Sequence, residues 1–255
     1  FYALFLLMCA MAFSGNAFAQ MWADKEEQIG KELYIPEIKL VKPSEMPGGL
    51  SRLLQDRMID ILHVEQRVNP GKYSCTPISG DDRSRALSVL AGALEKIPAQ
   101  TMRKAKLKYV LLCDESYAQG TVIGGIPIPP LKLLMLSMGG AQSEYQEHIF
   151  FHEFYHYMEF VAGRNIQDSV WNARFSGYGS NTSDWALGSG AKDFVSAYGQ
   201  TKPEEDRAEI FAHMMHDPDG FANYIKMQGS DVLTQKAAYI RSKAINEFGI
   251  DSLKR

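Results

Sequence analysis

Charge of one sign, long apolar runs and cysteine are all scarce in this chain. The formal charge is only −3 at pH 7 with no block of like charge, which excludes the basic footprint of a nucleic-acid-binding surface. Beyond residues 1–19 there is no long apolar run, so no stable membrane insertion is expected of the remainder. No internal repeat or low-complexity tract interrupts it. Of three cysteines, Cys9 lies in the apolar N-terminal stretch. That leaves Cys75 and Cys113, an even count that can pair in an oxidising compartment or remain as two thiols.

What is present begins with residues 1–19, which are uncharged, largely apolar and end in Ala17-Phe18-Ala19. A short apolar core followed by an A-x-A site reads as a signal peptide cut before Gln20, and a periplasmic or secreted location is expected. Residues 20–80 carry turn signals at Pro43, Pro47-Gly48-Gly49, Asn69-Pro70-Gly71 and Pro77 around one expected helix at 49–62. They read as an N-terminal extension packed on a main domain, 81–255. In that domain Asp81-Asp82 caps an expected helix at 83–97, and residues 108–112 read as a buried strand. The Gly- and Pro-rich stretch 120–130 reads as a rigid loop and 131–138 as a second strand. A last amphipathic helix starts at Asp231. Strands followed by helices make the expected class α+β, with a small mixed sheet and a mostly helical C-terminal part.

The stretch that carries chemistry is His152-Glu153-Phe154-Tyr155-His156, an HExxH pentad. Residues four apart on a helix project from one face, so both imidazoles can close on one ion while Glu153 reaches a water bound to it. A helix is expected around the pentad. Ser143 and Gln146 have the form of a capping box, Gly163 supplies a stop, and apolar residues from Ile149 to Val161 lie nearly all round the cylinder. Downstream, Thr201 and Glu204 form a second capping box with Pro203 in the first turn, and Glu205 and Glu209 fall four apart on a face that continues into Ala208, Phe211 and Ala212. One of the two acids can ligate a metal while the other orients a ligating histidine.

The pentad helix, then Tyr198-Gly199, a glutamate seven residues after the tyrosine and another four later, resemble the catalytic domain of anthrax lethal factor and the bacterial Pro-Pro endopeptidases. The run Asp193 to Gly199 also resembles bacterial zinc-binding metallopeptidases with a similar tail. The resemblance covers residues 148–215 and implies a zincin-like domain of gluzincin type holding one Zn2+. It implies His152, His156 and Glu205 as metal ligands, Glu153 as general base, Tyr198 as transition-state donor and Glu209 as the group behind a ligand. The expected activity is zinc-dependent endopeptidase hydrolysis of a peptide or protein substrate. An alternative is a secreted zinc-binding effector or protein-binding module without proteolysis, and a third is hydrolysis of a non-peptide amide. Cleavage preference and oligomeric state are left open.

Other candidates are less specific. His148 extends the ligand face and reads as an orienting or partly exposed group near the helix start. His213 and His216 read as solvent-facing positions on a helix end. Trp171 and Trp185 either pack the insertion between ligands or line a pocket. The strand at 131–138 is the candidate substrate edge, with Gly139-Gly140 for close backbone approach, or else a structural hairpin and turn.

Overall fold

Two runs of buried aliphatic residues, Tyr109–Cys113 and Leu133–Ser137, form the middle of a sheet in the computed structural model, which describes residues 38–68, 73–140, 143–163 and 168–254. The expected signal peptide lies outside the described residues. In chain order the elements are β1 (Ile38–Leu40), α1 (Leu50–Arg57), β2 (Asp60–Val64), β3 (Tyr73–Cys75), α2 (Gly80–Lys96), α3 (Ala99–Ala105), β4 (Tyr109–Cys113), β5 (Ser116–Ala118), β6 (Thr121–Ile123), β7 (Gly125–Ile128) and β8 (Leu133–Ser137). The C-terminal part is helical: α4 (Ser143–Val161), α5 (Ser169–Arg174), α6 (Pro203–His216), α7 (Pro218–Gln228) and α8 (Asp231–Asn246).

The main sheet has the order β1-β2-β4-β8-β7. Its three inner strands run parallel, while β1 and β7 are antiparallel edges. Side chains alternate across it as strand geometry requires. Val110, Leu112, Leu134 and Leu136 enter the helical core, and Tyr109, Leu111, Leu133 and Met135 a second cluster on the opposite face. An antiparallel sheet of β3, β5 and β6 stands beside it, joined to the end of β4 by the disulfide Cys75–Cys113.

Several expectations are corrected here. The helix expected at 49–62 stops at Arg57, where Met58 turns left-handed at φ 57°. The apolar run Ile59 to Val64 becomes a strand because β4 offers a parallel partner, and pairing outweighs local propensity. Residues 38–64, expected as part of an extension, thus supply two strands of the main sheet. The cap of α2 is Ser79, whose hydroxyl accepts from Asp82 N–H, with Asp81 and Asp82 inside the first turn.

The largest change concerns the substrate edge. β8 lies inside the sheet between β4 and β7, and the edge is β7, drawn from the stretch expected to be a rigid loop. Prolines mask the strand signal there, yet an edge tolerates a proline whose nitrogen faces away from the ladder. Close backbone approach occurs at Gly139, as expected, though toward Asp114, and again at Gly125. A side chain at Gly139 would run into the Asp114 carboxylate, whereas one at Gly125 would put its Cβ 2.8 Å from Glu153 Cγ.

Candidate metal centre

The pentad occupies the middle of α4, a helix whose Phe150, Phe151, Phe154, Tyr155 and Tyr157 are all buried. His148, His152 and His156 recur every four residues and rise along one face. Against it α6 sets Glu205 and Glu209, with Phe211 filling the space beside Phe151 and Tyr155 at ring distances of 6.4 and 5.1 Å. The helix begins at Pro203 with Lys202 at the cap and no side-chain capping bond. The expected Thr201 cap does not form, since that hydroxyl donates to Tyr198 O at 2.7 Å instead.

Three ligand-type atoms converge. His152 Nε2 lies 3.0 Å from His156 Nε2 and 3.1 Å from Glu205 Oε2, and His156 Nε2 lies 3.4 Å from the same oxygen. Zinc bonds of about 2.0–2.1 Å in a tetrahedron separate ligands by roughly 3.3 Å, so this donor set fits a small divalent ion. Behind it, His152 Nδ1 meets Glu209 Oε1 at 2.8 Å. With Nδ1 donating to the carboxylate, the neutral ring turns its Nε2 lone pair to the cluster.

His148, His152 and Glu209 also lie close enough to share an ion. Their contacts, however, are hydrogen bonds of 2.8 Å from two rings onto the single oxygen Glu209 Oε1. Those bonds already occupy the acceptor, whereas Nε2 of His152 and His156 both turn to Glu205, so the first trio is the better metal site.

Burial opposes a charge on His152, but Glu205 and Glu209 outweigh it and hold the metal-free imidazolium well above its usual range. Burial alone would raise Glu205, yet His156 and His152 keep it well below the usual carboxylate value. Burial likewise raises Glu153, with the two histidines opposing and the neighbouring glutamates reinforcing. Tyr198, with its ring 5.7 Å from His152, keeps its proton because burial and then Glu205 and Glu153 push the phenol upward. These groups open on a cleft of about 720 Å³ walled on one side by β7 and on the other by α4 and the Tyr198 turn.

One participant carries no sequence signal. Ser196, fully buried, donates its hydroxyl to Glu209 Oε2 at 2.6 Å and accepts from Gly199 N–H at 3.0 Å. A serine two residues before a tyrosine is unremarkable. The only hint is that Glu209's second oxygen needs a donor once it is buried.

Of the other histidines, His148 is the group set behind the ligands rather than a partly exposed one, and His213 is not solvent-facing. His148 is buried and bound to Glu209. His213 is buried beside it, bonded to Trp185 O at 3.1 Å and lowered to about 4, by burial first and then His148. His216, at the helix end, pairs with Glu147. Trp185 packs on Tyr145 and His148, while Trp171 is buried and donates to Tyr178 OH at 2.8 Å.

Fold and site together define an α+β protein of metallopeptidase-like fold with a His/His/Glu group able to hold a metal ion. No protein-family model matches the chain, and no curated protein matches it. Among solved structures the fold is similar to that of a "putative zinc-binding metallo-peptidase" from Bacteroides caccae ATCC 43185. The TM-score is 0.51 at 17% identity, covering 84% of this chain and 92% of that one. At that identity the likeness is one of fold.

Proposed function

We propose that the chain is an exported zinc-dependent endopeptidase of gluzincin type. The observation that carries this reading is the convergence of His152, His156 and Glu205 at ligand spacing with Glu153 beside them, next to β7, which is an edge of the sheet among the described residues. His152, His156 and Glu205 would hold a zinc ion, which would supply a Lewis acid for the scissile carbonyl and for a bound water. Glu153, raised by burial, takes the proton of the attacking water and hands it to the leaving amine. Tyr198 still holds its phenolic proton and donates to the developing oxyanion, a contact worth about 3 kcal/mol in comparable sites. Glu209 fixes the tautomer and orientation of His152. Export is supported by the A-x-A segment ending at Ala19 and by the Cys75–Cys113 disulfide, which suits an oxidising compartment. Among the described residues no helix is long and apolar enough to cross a membrane.

The test pairs two variants. Glu153→Gln should keep one zinc per chain while kcat/KM for peptide cleavage falls by about 10²–10⁴; parent-like cleavage would remove Glu153 as the base. Glu205→Ala should lose zinc by metal analysis, and undiminished metal would remove it as a ligand.

A further inference from the structure

Two histidines share one oxygen of Glu209. His148 Nε2 and His152 Nδ1 both lie 2.8 Å from Glu209 Oε1, while Oε2 accepts the Ser196 hydroxyl at 2.6 Å. A carboxylate offers about four lone-pair sites over its two oxygens. Satisfying it when buried does not require two N–H groups to crowd onto one of them. Here the crowding is fixed by packing, because His148 is buried between the Trp185 ring at 5.0 Å and the His213 ring at 4.6 Å. His213 does not take its place as a donor: its Nε2 lies 3.1 Å from Trp185 O and 3.8 Å from Glu209 Oε2. Nδ1 of His148 has no hydrogen-bond partner among the described residues. A proton there would be a buried donor with nothing to receive it, so the ring carries its proton on Nε2, aimed at Glu209.

We propose that His148 is a positioning residue that draws off part of the Glu209 charge and so limits how strongly that carboxylate reinforces His152 as a metal ligand. The proposal rests on the metal reading of His152, His156 and Glu205, and not on peptide cleavage. A carboxylate that accepts the Nδ1–H of a ligating histidine makes its Nε2 a stronger electron donor. A second N–H on the same oxygen weakens that effect, because each donor polarises the oxygen away from the other. His148 thereby keeps the ligand set electron-poor, the condition under which a bound ion polarises a carbonyl best. Ser196 holds the carboxylate in place with or without His148. The signature is the sign of the effect. Deleting a purely supporting hydrogen bond weakens metal binding, typically by about 10–100-fold, whereas deleting this one strengthens it.

The experiment measures zinc affinity of the full chain by competition with a chelating dye at neutral pH. His148→Phe, which fills the place of the ring without an N–H, should hold zinc about tenfold more tightly than the parent. His148→Gln, whose amide nitrogen lies as many bonds from the backbone as Nε2, should return affinity to within about twofold of the parent. In the zinc-loaded proteins the His152 Nδ1–H proton should resonate further downfield in His148→Phe than in the parent, the mark of a stronger bond to Glu209. Weaker or unchanged zinc binding by His148→Phe overturns the proposal and leaves the metal site standing. Where that variant does not fold, nitrogen–proton correlation spectra of the zinc-loaded parent decide: a His148 proton on Nε2 supports the proposal and one on Nδ1 overturns it. A parent chain that binds no zinc overturns this proposal and the metal reading together.

Discussion

At the scale of single residues the centre is organised by one carboxylate. Glu209 accepts from His148 and His152 on one oxygen and from Ser196 on the other, and its charge is held far below the usual carboxylate range by His148 and His152 against the opposing effect of burial. Ser196 also receives Gly199 N–H, so the group that aims His152 also anchors the turn carrying Tyr198. Tyr198→Phe is expected to lower kcat about 10²-fold. Ser196→Ala should lower it about tenfold, with KM and zinc content little changed. If Ser196 acts through Tyr198, the double variant should lose no more than Tyr198→Phe alone; a multiplicative loss in this double-mutant cycle would refute the coupling. The pentad and the Glu205/Glu209 spacing were legible in the chain because helical periodicity is local. Ser196, and the burial of His148 and His213, were not, because what they touch is brought from another element.

At the scale of elements, α4 and α6 are set against each other by charge as well as by aromatic packing. Arg207, two residues after Glu205, grips Glu159, three after His156, through Nε–Oε1 and Nη2–Oε2 contacts of 2.9 and 3.0 Å. Lys243 of α8 joins Glu159 to Asp168, which caps α5. The long connection from α5 to α6 is pinned by Lys236, whose Nζ lies 2.7 Å from Asp206 Oδ2 and 3.6 Å from the Phe194 ring centre. Burial would raise Asp168, but Tyr239, the Trp171 N–H and Lys243 bring it down to about 2. An unfolded aspartate titrates near 3.9, so this contribution is complete above about pH 4 and is lost as pH falls toward 2. Asp168→Asn should therefore lower Tm at neutral pH, and the gap to the parent should shrink between about pH 4 and pH 2. A gap constant over that range in Tm measurements would exclude Asp168 from the acid response. Element by element, α2, α4 and α8 were readable from apolar periodicity. β2 and β7 were not, since one followed a helical pattern directly and the other was masked by Pro127.

At the scale of the molecule, the disulfide joins the small sheet to the end of β4 across a sequence separation of 38, and Tyr73 on that sheet forms part of the cleft wall. Closing a loop of this length restricts the unfolded chain by about 4 kcal/mol in the entropic model. Replacing Cys75 and Cys113 together by alanine should cost about that much in denaturant unfolding, and a loss below about 1 kcal/mol would mean that packing alone holds the two sheets. By itself the sequence determined the α+β class, the pentad helix with its two histidines on one face, and the helical pair Glu205 and Glu209, because each follows from spacing along one segment. Only the tertiary structure decided that Cys75 meets Cys113, that Ser196 completes Glu209, that residues 38–64 belong to the main sheet, and that β7 rather than β8 is the open edge. Strand order and convergence at a point depend on contacts between segments far apart in the chain, and no local period encodes them.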